Sequence, residues 1–270
     1  MGAVLTASPV ADPSWLGLVA AGTLIAVALA LSAAQQLGLG RSILWSAVRA
    51  LVQLAAVGVV LGFLLAESTS ILWSWAWVAV MVLFAAGTTA RRAPEVPGMF
   101  TLSLSAYTAS GVVTLAVLFG FGVFELEART LVTLSGMVVG NSLAATVLVG
   151  RRLVESLQER RDEVEARLAL GNTAAEASAP MVRSSVRTAL IPQVETTKAV
   201  GIVLLPGAMV GLLLAGVEPA VAVKVQLAVM YLILGSVATT TAVVALGVRR
   251  RAFSADHRLV LDAPSHDRGS

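Results

Sequence analysis

The sequence predicts an all-α membrane protein with about seven transmembrane helices. The chain has 270 residues, of which 57% are hydrophobic and only 13% are charged. Its mean hydropathy of +0.86 exceeds what a soluble domain of this length needs for its core. Apolar stretches close to the twenty residues that cross a bilayer recur along the chain. They lie at about 15–36, 43–66, 71–90, 102–123, 131–150, 197–216 and 222–247.

The distribution of charge predicts the orientation of these helices. Arg and Lys concentrate in alternate breaks between the apolar stretches, and cation-rich loops stay in the cytoplasm. The acidic residues of the other breaks are Asp12, Glu67, Glu125, Glu127 and Glu218. We therefore predict an external N-terminus and a cytoplasmic C-terminus. The expected organisation is an external tail (1–14), a transmembrane domain (15–250) and a disordered cytoplasmic tail (251–270).

Composition also excludes several classes of function. The net charge of +3 is explained by cytoplasmic loops beside anionic membrane lipid, so we expect no nucleic-acid partner. The absence of cysteine excludes disulfides and thiolate metal sites. No P-loop motif occurs, and no His/Asp/Glu constellation lies within a span. These observations favour a chain that is not itself an enzyme and holds no cofactor.

The longest polar interval predicts two helices joined by a tight turn. Strong helix formers over 151–170 continue the fifth apolar stretch for about 30 Å at 1.5 Å per residue. Gly171 follows where a left-handed helix cap is expected. Thr173 and Glu176 have the spacing of a capping box, which starts a second helix at once. We predict a cytoplasmic helix-turn-helix over 151–192 that a partner can grip as a lever; a solvated connecting loop is the alternative.

Polar and helix-breaking residues inside the apolar stretches predict a translocation pathway, because such residues are costly unless they face partners or water. The alternative role of Gln53 and Asn141 is to form hydrogen bonds between helices. The alternative role of Glu195 is to form an ion pair with Lys198. The sixth span contains a Pro-Gly pair that predicts either a broken helix lining a cavity or a packing kink. The candidates are Gln53, Asn141, Ser142, Glu195, Pro206, Gly207, Met209 and Gln226. For the thioether of Met209, packing between helices is the alternative role.

Metal ligands are not recognisable from spacing. Both histidines, His257 and His266, lie in the predicted tail, and no H-x₃-H or D-x-D pattern occurs within a span. Any cation would pass on amide, hydroxyl and carbonyl oxygens, with Glu195 as the candidate carboxylate. The spacing of the residues therefore assigns no ligands to a metal site.

Part of the polar interval resembles the cytoplasmic E-A-A … G … I-x-L-P signature of ABC-transporter permeases. The matching residues are Glu165-Ala166, Leu170-Gly171 and Ile191-Pro192, while Arg167 stands where the signature has a second alanine. By this resemblance, the residues that couple to an ATPase are Glu165, Ala166, Leu170, Gly171, Thr173, Glu176 and Pro192.

Further segments resemble the FetB-type permease family of iron exporters, whose plant relatives are associated with aluminium tolerance. They are "VRALVQLAAVG" (48–58), "GMVVGNSLAATVLVGRRL" (136–153), "ERRDEVEARLALG" (159–171), "LIPQVETTKAVGIVLLPGAMVGLLLAG" (190–216) and "QLAVMYLILGSVATTTAVVALGVRRRAF" (226–253). The resemblance covers roughly residues 40–253. It implies a homodimeric permease of the inner (plasma) membrane that exports iron or another metal ion. A separate FetA-like subunit would bind ATP and Mg. An ion-gradient-driven transporter and a scaffold that recruits an ATPase stay open as alternatives.

Overall fold

The structure is a computed structural model that describes residues 14–66, 68–201, 204–254, 256 and 258–261, apart from the side chains of residues 15 and 18. The predicted all-α class is confirmed, since helices make up nearly all of this part of the chain. The helices are α1 (Trp15–Ala34), α2 (Gly40–Leu64), α3 (Ile71–Arg92), α4 (Met99–Gly120), α5 (Ala128–Glu159), α6 (Arg161–Ala169), α7 (Ala174–Ala199), α8 (Gly207–Leu214) and α9 (Pro219–Ala252).

Within the described residues, five helices, α2, α3, α4, α5 and α9, are long and apolar enough to cross a membrane. The apolar part of α1, Val19–Ala34, is shorter than a full span. The predicted sixth span, 197–216, is not one helix, because α7 ends at Ala199 and α8 begins only at Gly207. A multi-pass membrane protein is confirmed, whereas the number of seven spans stays a prediction.

The chain forms two compact units. The first contains the residues up to Ile71 together with Gly207–Val223, and the second contains Leu72–Pro206 together with the residues from Lys224 onward. In the first unit α1 packs against α2. In the second unit α5 packs against both α4 and α7, and α7 also packs against α6.

The core of the second unit lies at the end where α5 becomes polar. Leu153, Val164, Met181 and Val248, from four different helices, belong to one buried cluster. The same cluster contains Ala189 in the C-terminal half of α7. Burial of these apolar side chains holds the polar interval against the rest of the unit.

The polar helix predicted over 151–170 is divided in two. Helix α5 ends at Glu159, and Arg160 leaves helical geometry with φ −108° and ψ 29° before α6 begins. Leu157 and Val164, on either side of this break, are both fully buried in the same cluster. The bend therefore serves packing, because it turns α6 back onto the cluster that α5 already contacts.

The described residues 251–254, 256 and 258–261 belong to the packed unit, which corrects the tail predicted from residue 251. Phe253, Leu259 and Leu261 are buried in the core cluster. Val260 N–H donates to the carbonyl of Ala252 at 2.8 Å, so the chain folds back on the end of α9. The rest of the predicted tail (262–270) and residues 1–13 of the predicted external tail lie outside the described residues.

Arg161 attaches this returning segment to α6. Its Nη1 donates to the carbonyl oxygen of Leu261 at 3.0 Å, and its Nη2 lies 3.5 Å from the carbonyl oxygen of Leu259. Its Nε also donates to Oε1 of Glu165 at 2.7 Å. One guanidinium thus joins α6, the returning segment and a residue of the predicted coupling element.

Candidate functional site

The turn between α6 and α7, which we call the corner (residues 165–176), is built by local hydrogen bonds. Gly171 has φ +89°, and its N–H donates to the carbonyl of Leu168 at 2.9 Å. The N–H of Asn172 donates to the carbonyl of Arg167 at 3.2 Å. This pair of bonds is the Schellman motif, which requires a left-handed residue at this position. The cap predicted at Gly171 is therefore present.

The start of α7 carries the predicted capping box. Thr173 N–H donates to Oε2 of Glu176 at 2.8 Å, and Glu176 N–H donates to Oγ1 of Thr173 at 3.3 Å. The hydrogen bond from the Thr173 backbone lowers the pKa of the Glu176 carboxyl. A lowered carboxyl pKa stabilises the folded state at neutral pH, and this contribution is lost as the pH falls through the folded pKa, below the ordinary value of 4.5.

The corner presents an exposed leucine on a rigid support. Leu170 is 84% exposed, whereas Val164 before it and Ala177 after it are fully buried. Glu165 and Ala166 are exposed on α6, close in sequence to Leu170. The structure therefore groups six of the predicted coupling residues at the corner and places Pro192 elsewhere, near the C-terminal end of α7.

Pro192 lies in a cleft of about 170 Å³ between α5, α7 and α9, which we call the amide cleft. Asn141 of α5 faces Gln193 and Thr196 of α7 across it. Nδ2 of Asn141 donates to the carbonyl of Met137 at 2.8 Å, which leaves its Oδ1 as an acceptor. The remaining lining residues are Ala144, Ala145, Leu148, Ala189 and Val237.

Gln193 and Thr196 were missed in the sequence analysis. They recur with Ala189 and Pro192 at helical spacing, which puts all four on one face of α7. That periodicity was available in the sequence, but nothing in it identified α5 as the neighbour of this face.

The amide cleft fixes the depth of α7 relative to the apolar run of α5. Asn141 lies ten residues before Arg151, which is about 15 Å along a helix and about half the thickness of a hydrocarbon core. Thr196 shares the cleft with Asn141 and so lies at a similar level. Glu195 and Lys198 are within one helical turn of Thr196. They are therefore level with the apolar run of α5.

The opposite side of α7, which we call the outer face, borders a cavity of about 670 Å³. Its charged residues are Arg183, Arg187, Glu195 and Lys198. Nζ of Lys198 donates to Oε1 of Glu195 at 2.9 Å. The apolar residues of the outer face are Val182, Val186, Leu190, Ile191 and Val194.

The sixth predicted span is interrupted after α7. Gly201 has φ +100°, and its N–H donates to the carbonyl of Leu204 at 2.9 Å. Leu204 N–H donates in turn to the carbonyl of Ala199 at 3.1 Å. Pro206 is half-buried and directly precedes Gly207, the first residue of α8. The interruption thus begins before the Pro-Gly pair that predicted it.

The other predicted pathway residues are not in the amide cleft. Ser142 is fully buried, and its Oγ donates to Oγ of Ser236 at 3.3 Å, which joins α5 to α9. Gln226 is buried, and its Oε1 has no partner among the described residues. Gln53 is exposed on α2, and Met209 is half-buried in α8; both belong to the first unit.

A preformed metal centre is not found in the described part of the chain. No group of three or more His, Cys, Asp or Glu side chains is placed there to hold a metal ion. His257 and His266 lie outside the described residues. The oxygen-bearing side chains of the amide cleft are neutral, which suits weak and transient binding of a hard ion.

Comparison with known proteins identifies the family. The chain matches the model of the Uncharacterised protein family (UPF0014) over residues 15–253. The chain belongs to this family. As a UPF0014 member with several membrane-spanning helices, it is a multi-pass integral membrane protein of the plasma membrane, as the sequence predicted.

The relatives to which the chain is similar include a probable permease. The chain is 34% identical over 242 residues to the "Probable iron export permease protein FetB" of Escherichia coli (strain K12), covering 88% of this chain and 92% of that one. It is 36% identical over 220 residues to the "UPF0014 membrane protein STAR2" of Oryza sativa subsp. japonica, covering 81% and 76%. It is 32% identical over 222 residues to "Protein ALUMINUM SENSITIVE 3" of Arabidopsis thaliana, covering 80% and 79%. No solved structure matches the chain.

Proposed function

We propose that the chain is the membrane permease subunit of an ABC exporter that moves iron or another metal ion out of the cell. The observation that carries this proposal is the 34% identity to a probable iron export permease over 92% of that protein's length. A separate FetA-like subunit binds ATP and Mg and hydrolyses the ATP, since this sequence has no P-loop. The chain works as a homodimer, with seven spans, an external N-terminus and a cytoplasmic C-terminus.

The corner is the element through which the ATPase acts. It offers an exposed apolar side chain, Leu170, on a turn whose backbone is fixed by the Schellman motif and the capping box. An apolar side chain held rigidly at a tip docks into a partner groove at a small cost in conformational entropy. Glu165 and Ala166 complete this contact surface.

Helix α7 transmits movement from the corner to the membrane. It runs without interruption through Pro180 and Pro192 and is 26 residues long, or about 39 Å at 1.5 Å per residue. It is capped by Thr173 in the corner, borders the amide cleft through Gln193, and ends at the interruption that follows Ala199. Rigid-body displacement of this helix couples ATP-driven closure of the partner to the opening of the route.

Affinity purification from gently solubilised native membranes tests this proposal. We expect a P-loop ATPase to co-purify with the wild-type chain. The amount of ATPase recovered should fall about tenfold or more with the Leu170→Ser variant, because the exposed leucine contacts the partner. Val260→Ser is the matched control, since Val260 is also an exposed apolar side chain of the second unit but lies outside the corner. Absence of any ATPase from the wild-type sample, under conditions that preserve other membrane complexes, would remove the proposal.

A further inference from the structure

The outer face of α7 carries ions at a depth where lipid does not tolerate them. Glu195 and Lys198 lie level with Asn141, near the middle of the apolar run of α5. Their side chains are 60% and 67% exposed. Ionised side chains at this depth almost always face a water-filled cavity or another part of the protein. The outer face is therefore a candidate wall of an aqueous path.

The charge of this face is positive. The cavity beside it is lined by three cations and one carboxylate, which gives a net charge of +2. The negative charge of the Glu195 carboxylate is already balanced by Lys198, whose Nζ lies 2.9 Å from Oε1 of Glu195. Arg183 and Arg187, one helical turn apart, are both exposed and form none of the ion pairs found among the described residues. An approaching solute therefore meets two guanidinium groups whose charge is not balanced on this face.

We propose that the outer face of α7 lines the path of an anionic solute, and that metal crosses as an anionic complex with oxygen ligands. The part that concerns metal rests on the proposed function. A bare cation is repelled by a surface of like charge, whereas an anion is concentrated there. Guanidinium groups bind carboxylate oxygens in bidentate geometry, and carboxylates are preferred ligands of hard metal ions. Arg183 and Arg187 select the complex, and Glu195 lowers the affinity for it.

Cysteine accessibility tests the path without requiring transport or an identified partner. The chain has no cysteine, so a single introduced thiol reports one position. Ile191→Cys lies on the outer face, and Leu83→Cys on the apolar groove beside α3 is the lipid-facing control. The thiols are treated in membranes with anionic and cationic methanethiosulfonate reagents, and each rate is divided by the rate of that reagent with a free thiol.

The expected result is fast modification of the Ile191→Cys thiol and slow modification of the control thiol. The normalised anionic rate should exceed the cationic rate at position 191 by about fivefold. Arg187→Gln should reduce this preference, Arg187→Lys should retain it, and Arg152→Gln, a cation of α5 that does not line the cavity, should leave it unchanged. A thiol at 191 as slow as the control, or one that prefers the cationic reagent, would overturn the proposal.

Transport by the purified complex distinguishes this inference from the proposed function. Iron is offered either as ferric citrate or as hydrated ferrous ion under reducing conditions. We expect ferric citrate to be transported, with a half-saturating concentration raised about fivefold by Arg187→Gln and lowered by Glu195→Gln. If the wild-type complex transports hydrated ferrous ion and the Glu195→Gln variant does not, the inference is overturned and the proposed function stays intact. If neither form of iron is transported but the thiol at position 191 still reacts faster with the anionic reagent, iron is excluded as the substrate and the anionic path stands.

Discussion

Replacing Gly171 with valine is expected to abolish ATP-driven transport while leaving membrane insertion intact. Gly171 has φ +89°, and no heavy atom lies within 4 Å of the position that a Cβ would take. The space is therefore open, and the obstacle is the backbone conformation. A β-branched residue at positive φ costs on the order of 1–3 kcal/mol. The turn is expected to relax, which moves Leu170 away from its position at the corner.

Asparagine is the matched control at this position, because it tolerates left-handed backbone far better than valine. Gly171→Asn should retain most of the transport rate and most of the substrate-stimulated ATP hydrolysis. Gly171→Val should lose both, at unchanged protein level in the membrane. Equal activity of the two variants would show that the left-handed turn is not needed for coupling.

The corner was predictable because its determinants are local. Gly171, Thr173 and Glu176 bond to residues within five positions along the chain, so their spacing in the sequence contains the motif. Propensity and capping rules act over the same short range. The position of the turn and the helical structure on either side of it can therefore be predicted from residues close together in the sequence.

The depth of Glu195 was not predictable by the same means. Hydropathy places the start of the sixth span at about residue 197, between Glu195 and Lys198, because charged residues lower the average of any window that contains them. The structure instead packs α7 against α5, which brings Thr196 to the level of Asn141. Packing between residues more than forty positions apart along the chain decides the depth, and periodicity does not report which helices meet. The amide cleft and Gln193 were missed for the same reason.

The prediction of a disordered tail from residue 251 was wrong for the buried residues Phe253, Leu259 and Leu261, because the apolar residues of this segment are few. Residues 252–270 are polar and weakly patterned, which is typical of disorder. Phe253, Leu259 and Leu261 nevertheless fill space in a core to which five helices contribute, namely α4, α5, α6, α7 and α9. A short segment can be ordered by a surface that already exists, and its own composition does not reveal that surface.

Leu259→Ala provides the second large expected effect and tests this correction directly. Leu259 is 6% exposed and packs in the cluster that contains Val164 of α6 and Met181 of α7. Removing a buried leucine side chain costs about 2–4 kcal/mol. We expect the temperature of thermal unfolding in detergent to fall by several degrees.

Val260→Ala is the neighbouring control, since Val260 is 54% exposed. Exposed substitutions of this kind change the free energy of unfolding by about 0.5 kcal/mol or less. A disordered tail would make the two variants alike in stability, whereas the packed segment makes them differ.

The loss of packing at Leu259 should also disturb the corner, because Arg161 binds the carbonyls of Leu259 and Leu261 while its Nε donates to Glu165. Co-purification of the ATPase with Leu259→Ala should therefore fall at temperatures where the wild-type complex is intact, and unchanged recovery would show that the returning segment does not support the corner.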